Sequence, residues 1–586
     1  MAKTVNMPEG IARTLVDVIQ WRAANQGDFE VYTFLLDGEE KSETMTFCEL
    51  DRRARTIAAW LMQQGSAGDR VMMLFPPGLD FMAAFYGCLY ANMIAIPLYP
   101  HLRPKKDKVL ERIEGVVRDA QPLVILHNDV VARVKAGIIE QSEGLGQVPW
   151  QNISEISSEL AETYAKPRIE ADNLAFLQYT SGSTSTPKGV MVSHGNIMAN
   201  LYQIYMHFGC TADDHTIIWL PPYHDMGLIG GILTPAYSGF RSTFMPPVYF
   251  LQRPFRWLKA IAQRGGTISG GPNFAFEYAV KKVRPDQLAQ LDLSGWRTAF
   301  SGAEPINGHT LREFAAHFAS CGFSAKNYYP CYGLAEGTLM ITGHADRGEP
   351  LIETFDAHAL EQHRAVPRTE GAETELRTLV GSGTVGPEMD LQIVNPDTLE
   401  VCPDGSVGEV WVKGDNIALG YWKRPEQSEE TFAARISGTG EGPFMRTGDL
   451  GFFYKGELFV TGRIKDLIII DGSNHYPQDI EWSITDSHPA IKPHGAAAFA
   501  VETGSGEKLV VVAEIDRRVM RDMPDVTAEQ VAKTIRSAVS NFHDLRIHDL
   551  VLTTRRIPKT TSGKTQHHHC KQQYLDGQFQ EEDSSQ

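Results

Sequence analysis

The chain has 586 residues, 42% of them hydrophobic, enough for two or more domains with their own cores and too apolar for a disordered chain. Against 55 Lys+Arg stand 72 Asp+Glu, and the net charge of -17 repels phosphate backbones and anionic lipid, which excludes general nucleic-acid binding. Seven scattered cysteines without a CxxC pair fit neither a disulfide framework nor a zinc site, and predict reduced, mostly buried thiols in a cytoplasmic protein.

The N-terminus, MAKTVNMPEGIARTLVDVIQ, lacks the basic start and apolar run of a secretory signal. Helical spacing of Leu50, Ala54, Ile57, Ala58 and Leu61 predicts a helix over Phe47–Gln64. The most lipid-like stretch, residues 79–99, carries Asp80, Asn92 and Pro97. It predicts a buried helix running into a strand; a membrane span would want about 20 cleaner apolar residues, so no stable membrane insertion is expected. Strand-like runs at 71–75, 123–126, 175–179, 217–220 and 298–300 alternate with helical patterns, the mark of α/β layering. Over residues 385–464 the rhythm changes to hairpins, with turns inside DLQIVNPDTLEV and GFFYKGELFV, predicting an antiparallel, barrel-like β subdomain. Strands at 467–470, 496–501 and 509–515 and a helix at 527–541 predict a small α+β domain over 465–586, set against a large domain over 1–464. Residues 346–380 are charged, sparsely apolar and longer than most connections, so they read as functional or loosely held.

The sharpest local signal is YTSGSTSTPKGVMVSH at 179–194, which crowds hydroxyls, glycines and Lys188 into a loop after a strand and offers many donors to phosphate oxygens. It lacks Walker A spacing. SGAEP at 301–305 follows the strand-like WRTAF, and YYPCYGLAEG at 328–337 places an aromatic ring beside a Gly turn and a carboxylate; strand ends are where α/β sheets hold ligands. Then come MRTGDLGF with Asp449, GRIKDLIIIDG with Arg463 and Lys465, and PKTTSGKT with Lys559 and Lys564.

This ordered set resembles the adenylate-forming superfamily of acyl-CoA synthetases, nonribosomal-peptide adenylation domains and luciferases, from about Thr14 to about Tyr574. YHDMGLIG at 223–230, CYGLAEG, GRIKDLIII and NHYPQDIE at 474–481 look most like the fatty acyl-AMP ligases, which pass an acyl-adenylate to an acyl carrier protein. The resemblance implies that Thr180, Ser181, Gly182, Ser183, Thr184 and Lys188 cover the ATP phosphates. It implies that Gly302, Ala303, Glu304, Tyr332 and Gly333 line the adenine site, and that Tyr332 stacks on the base. Glu336 would hold Mg2+, Asp449 the ribose hydroxyls with help from Arg463, and Lys465 the hinge. Lys564 would be the lysine that the small domain delivers, and His224 would gate the acyl pocket or touch the carboxylate. The alternative for His224 is a packed side chain bonded to Asp225.

Physical chemistry asks for the same groups. A carboxylate attacking the α-phosphate brings two anions together, so cations such as Lys564 and Mg2+ must be preorganised there, while no general base is needed for an acid already ionised at pH 7. Relatives of the fatty acyl-AMP type carry an insertion after the GLAEG motif that braces the small domain and hinders the swing admitting CoA. By resemblance residues 346–380 fill that role, with Leu376, Leu379 and Val380 as anchors. No LGxDS-like carrier motif occurs, so the phosphopantetheine arm is expected from a separate carrier protein. The alternatives are an acyl-CoA synthetase of the same fold and an inactive fatty-acid-binding homologue, whose mark would be loss of Lys564, Glu336 or Asp449. The run His567 to His569 reads as a solvated turn rather than a metal site. The 240–255 stretch, with Met245 and Phe250, reads as core, with the acyl pocket as the alternative.

Overall fold

A computed structural model describes residues 12–100, 102, 108–180, 187–344, 348–372, 375–470, 473–503, 506–543, 545–560 and 564–579. The architecture is α/β, with a large N-terminal part and a smaller C-terminal one.

Two sheets build the large part. The six-stranded sheet runs Trp150–Asn152, Val124–His127, Arg70–Leu74, Ile94–Leu98, Leu174–Thr180 and Lys188–Ser193, parallel except at its last pair. The nine-stranded sheet has a parallel centre formed by Tyr328–Gly333, Thr298–Ser301, Ile268–Gly271, His215–Ile218, Arg241–Phe244 and Glu30–Leu35. Helices cover both sheets, which is why the central strands read as continuous apolar runs. The helix Phe47–Gln64 starts at a Thr46/Glu49 capping box and buries the five residues whose spacing announced it. Residues 79–99 form the buried helix Leu79–Tyr90 and then the strand Ile94–Leu98. Among the described residues no helix is long and apolar enough to cross a membrane. All seven cysteines are free; Cys88, Cys210, Cys321 and Cys570 are buried, and Cys48 is exposed.

A four-stranded antiparallel sheet follows: Asp390–Val394, Gly408–Lys413, Met445–Tyr454 and Glu457–Arg463. The expected GFFYKGELFV hairpin is present, turning on Lys455 and Gly456, both with left-handed backbone. The expected DLQIVNPDTLEV hairpin is not: Asp390–Val394 pairs with Gly408–Lys413 instead, leaving one bridge between Val394 and Val401. The Asn395 side chain accepts the amides of Asp397 and Thr398, and Leu399 has φ 59, so a side-chain-closed turn takes up the residues assigned to the second strand.

Within 346–380 the chain forms the strand Ile352–Asp356, the helix Ala357–Glu361 and the strand Leu376–Val380, which pairs back on the first. Phe355 and Leu360 are fully buried against Phe452 and Phe459 of the four-stranded sheet. Leu379 and Val380 are buried as expected; Leu376 is only half-buried, at the far end of its strand, and Phe355 takes the anchoring place assigned to it.

The C-terminal part packs the helices Pro477–Ser487 and Ala528–His543 on a three-stranded sheet, Ile491–Thr503, Gly506–Ile515 and Ile547–Thr553. Ile480, Ile484, Val511, Ile535 and Val539 form its separate core.

Candidate active site

Five sheets contribute residues to a cleft of about 2720 Å³ between the two parts of the chain. Its contributors are set by strand register. Thr180 and Lys188 face each other at the open end of an antiparallel pair. Ser181, Gly182, Ser183 and Thr184, the loop between them, lie outside the described residues. Thr298–Ser301 and Tyr328–Gly333 run parallel in register, so Gly302, Ala303 and Glu304 leave the sheet beside Tyr332 and Gly333. Gly302 and Gly333 are tight positions: a Cβ would meet the Cys331 carbonyl at 2.7 Å and the Leu339 carbonyl at 1.8 Å. Ala303 has φ 76, a strained non-glycine turn of the kind found where a backbone serves a site.

Asp449 and Arg463 are cross-strand neighbours in the four-stranded sheet, and the Arg463 guanidinium donates to the Asp449 carboxylate at 2.8 Å. The Tyr332 hydroxyl donates to the other oxygen of Asp449 at 2.7 Å, joining the two sheets through one buried carboxylate. Tyr421, which sequence reasoning missed, donates its hydroxyl to Glu336 at 2.9 Å, and the Lys188 ammonium lies 5.1 Å from the Tyr421 ring centre. The signal for Tyr421 would have been GYWKRP at 420–425, a short loop rich in Gly, Pro, aromatics and cations. Burial pulls Lys188 below its ordinary lysine value, nearby Lys465 adds to this, and Glu336 opposes it.

YHDMGLIG opens the π-helical segment Met226–Leu233, a rare form enriched at functional sites and invisible to a helix-spacing argument. His224 Nδ1 stands 3.8 Å from Asp225 Oδ1, and both residues line the cleft, so the packed and pocket-facing readings of His224 are compatible. Burial pushes the Asp225 carboxyl up, but His224, the Met226 amide and Lys564 together outweigh it and hold it below its usual value.

Lys564 reaches this cleft. Burial and the positive Arg463 pull its ammonium below the ordinary lysine value, while Asp225, Glu304 and Asp449 act against that. Burial raises the Glu304 carboxyl, opposed by His494 and Lys564. A lysine at the far end of the chain thus sits among acidic groups from three separate elements of the large part.

The apolar wall of the cleft includes Phe208, Trp219, Phe274, Phe300 and Leu339. Phe250 is fully buried and stacks on Trp219 at 3.9 Å, so with Met245 it is core backing the wall. His567 corrects the solvated-turn reading: it begins the helix His567–Leu575 and lies 2.7 Å from Glu481 and 3.6 Å from Asp466, a pair of carboxylates that raises its pKa to about 10 despite burial. Among the described residues no group of three or more His, Cys, Asp or Glu could hold a metal.

The AMP-binding enzyme family matches residues 19–422, and the AMP domain of the Disco-interacting protein 2-like family matches 465–584. The chain is 42% identical to the medium-chain-fatty-acid–[acyl-carrier-protein] ligase JamA of Moorena producens, over 96% of this chain and 95% of that one. It is 39% identical to the long-chain-fatty-acid–AMP ligase FadD26 of Mycobacterium marinum, over 97% and 98%. Its fold matches the fatty acyl-adenylate ligase from L. pneumophila, solved with acyl adenylate and pyrophosphate, at TM-score 0.76 and 38% identity over 97% and 98% of the two chains. The cleft, the ordered residues around it and these likenesses agree, and the chain belongs to the AMP-binding, adenylate-forming enzymes as a fatty acyl-AMP ligase.

Proposed function

We propose that this enzyme joins a fatty acid to ATP, releasing pyrophosphate, and then passes the acyl group to the phosphopantetheine thiol of a separate acyl carrier protein. The observation that carries the reading is the approach of Lys564 to Asp225, Glu304 and Asp449 in the cleft. In the first step a carboxylate oxygen bonds to the α-phosphorus and the bond to the bridging oxygen of pyrophosphate breaks. The ammonium of Lys564 meets the negative charge gathering on the phosphoryl oxygens, in a site where no solvent need reorganise. Asp449 accepts the ribose hydroxyls, Arg463 and Tyr332 holding its carboxylate in place. Thr180 and Lys188 grip the phosphates, and His224 orients the fatty carboxylate at the mouth of the apolar wall.

A Mg2+ ion fits this donor set. Glu336 offers a single carboxylate steadied by Tyr421, which suits a cation that keeps several waters and takes its other ligands from phosphates. When bound at Glu336, it would neutralise phosphate charge.

In the second step the thiol sulfur bonds to the acyl carbon, AMP leaves with the bond pair, and the thiol proton passes to solvent. Preference for a carrier over CoA is supported by the 346–380 segment, which ties both parts of the chain together. The Arg377 guanidinium donates to the Thr461 carbonyl at 2.8 Å, pairs with Asp479 at 2.7 Å and lies 3.9 Å over the Tyr476 ring. Glu361 adds a 3.1 Å pair with His475 and accepts from the Asn474 amide through its carbonyl. Contacts made in this arrangement and broken by a turn of the C-terminal part would disfavour the turned pose. Protein, ATP and fatty acid incubated with CoA or with a phosphopantetheinylated carrier test the reading. Acyl-carrier formation well above acyl-CoA formation is expected; efficient acyl-CoA formation would make it an acyl-CoA synthetase.

A further inference from the structure

Far from the hinge, a second contact crosses between the two parts. His494 Nε2 lies 2.8 Å from Glu277 Oε2, and the other oxygen of Glu277 accepts the Thr310 hydroxyl at 2.9 Å. Both side chains are mostly enclosed, 24% and 17% exposed.

Each partner is held in place by its own backbone. The ladder between Ile491–Thr503 and Gly506–Ile515 pairs Ile491 with Ile515 and resumes only at Ala496 with Ala513, so residues 492–495 bulge out. His494 sits in that bulge with φ 53, followed by Gly495, where a Cβ would meet the Lys492 carbonyl at 2.7 Å. A bulge re-aims a side chain, and a left-handed non-glycine residue persists only where the surroundings enforce it. Glu277 stands on the helix Asn273–Lys282, whose first amide donates to Glu304 at 2.8 Å and whose Asn273 side chain bonds the Pro305 carbonyl and the Asn307 amide. The helix that receives His494 is therefore the one that braces the Glu304 turn facing Lys564.

We propose that the Glu277–His494 pair is a clasp that positions the C-terminal part for adenylation, holding Lys564 at Glu304 and Asp225 while it is formed and releasing that part when it breaks. His494 is a positioning residue, acting through the placement of Lys564. The inference rests on the adenylation half of the proposed function and not on the acyl acceptor.

The groups facing the clasp are Glu277 and Lys281 on the receiving helix, Glu304 on the adjoining turn, His309 on the next helix, Asp486 on Pro477–Ser487 and Lys559 on the C-terminal loop. Burial lowers the His494 pKa, but Glu277 and Glu304 more than reverse this and raise it, against Lys559. Burial raises Glu277, and His494, Thr310 and Lys281 bring it below its ordinary value. For a histidine raised on folding, the contribution is complete below the ordinary value near 6.5 and disappears as pH rises through the raised one. The clasp therefore opens on the alkaline side.

The test is steady-state pyrophosphate release with ATP and a fatty acid, across pH, for wild type, His494→Asn, His494→Lys and Glu277→Gln. Asn tolerates the left-handed backbone without charge, and Lys keeps a charge that does not titrate near neutrality. His494→Asn and Glu277→Gln are each expected to lower kcat about tenfold with both KM values within about twofold, and the double variant to be no worse than either. His494→Lys should restore most of kcat and erase the wild-type alkaline limb. Limited proteolysis between the two parts gives a readout independent of turnover: faster in His494→Asn, faster in wild type as pH rises, and pH-independent in His494→Lys. Unchanged kcat and proteolysis in both neutral variants, a loss carried by KM alone, or no rescue by Lys would overturn the clasp. A wild-type chain that releases no pyrophosphate across a fatty-acid length series would instead overturn the proposed function, with proteolysis still deciding the clasp.

Discussion

The side of the cleft that carries Asp449 and the side that brings Lys564 are built by different means. Asp449 and Arg463 stand on neighbouring strands, so ladder register fixes their spacing, and hydrogen bonds of 2.7 Å from Tyr332 of the adjoining sheet and 2.8 Å from Arg463 lock the carboxylate. Lys564 stands on a loop, held by two local hydrogen bonds between its backbone and Thr560. On the reading proposed above, its place in the cleft is set by contacts made elsewhere: Arg377 with Asp479, Glu361 with His475, Glu277 with His494. One side is preorganised by secondary structure; the other depends on mostly enclosed side-chain pairs that join separate parts of the chain.

This contrast can be broken at three places. The largest effect belongs to Lys564→Ala, which leaves the nucleotide cradle whole and removes the delivered cation. Acyl-dependent pyrophosphate release should fall about 10²- to 10³-fold in kcat, with ATP binding measured by calorimetry nearly unchanged. Asp449→Asn comes next. It weakens the bond from Arg463 and the acceptor for ribose, and KM for ATP should rise about tenfold while kcat falls less. If its loss fell on kcat alone, the cradle would be doing the work assigned to the delivered lysine. The smallest is Arg377→Ala, which touches neither substrate. Freed from Asp479 and Tyr476, the C-terminal part should turn more often, raising the ratio of acyl-CoA to acyl-adenylate about fivefold when CoA is supplied, as read by chromatography. An unchanged ratio would mean that the insertion packs without bracing.

Some features were legible because they are local. The Phe47–Gln64 helix is written in its capping box and apolar spacing, and the buried helix and strand at 79–99 in the interruptions Asp80, Asn92 and Pro97, too many for a clean membrane span. The ordered motifs named Thr180, Lys188, Glu304, Tyr332, Glu336, Asp449, Arg463 and Lys564 before any geometry, and all of these residues line one cleft. Local chemistry misled at Asn395, whose side chain closes a turn where alternation suggested a second strand, and at His567, where a run of three histidines looked solvated but one ring is enclosed by Asp466 and Glu481.

By itself, then, the sequence determined the layers, the order of the motifs and the residue types that adenylation needs, because periodicity, caps and turn residues act over a few positions. Only the tertiary structure decided that Tyr421 steadies Glu336, that Phe355 anchors the insertion and that a bulge turns His494 onto Glu277. Those pairings join residues far apart in the chain, and no local preference encodes a distance that packing alone brings about.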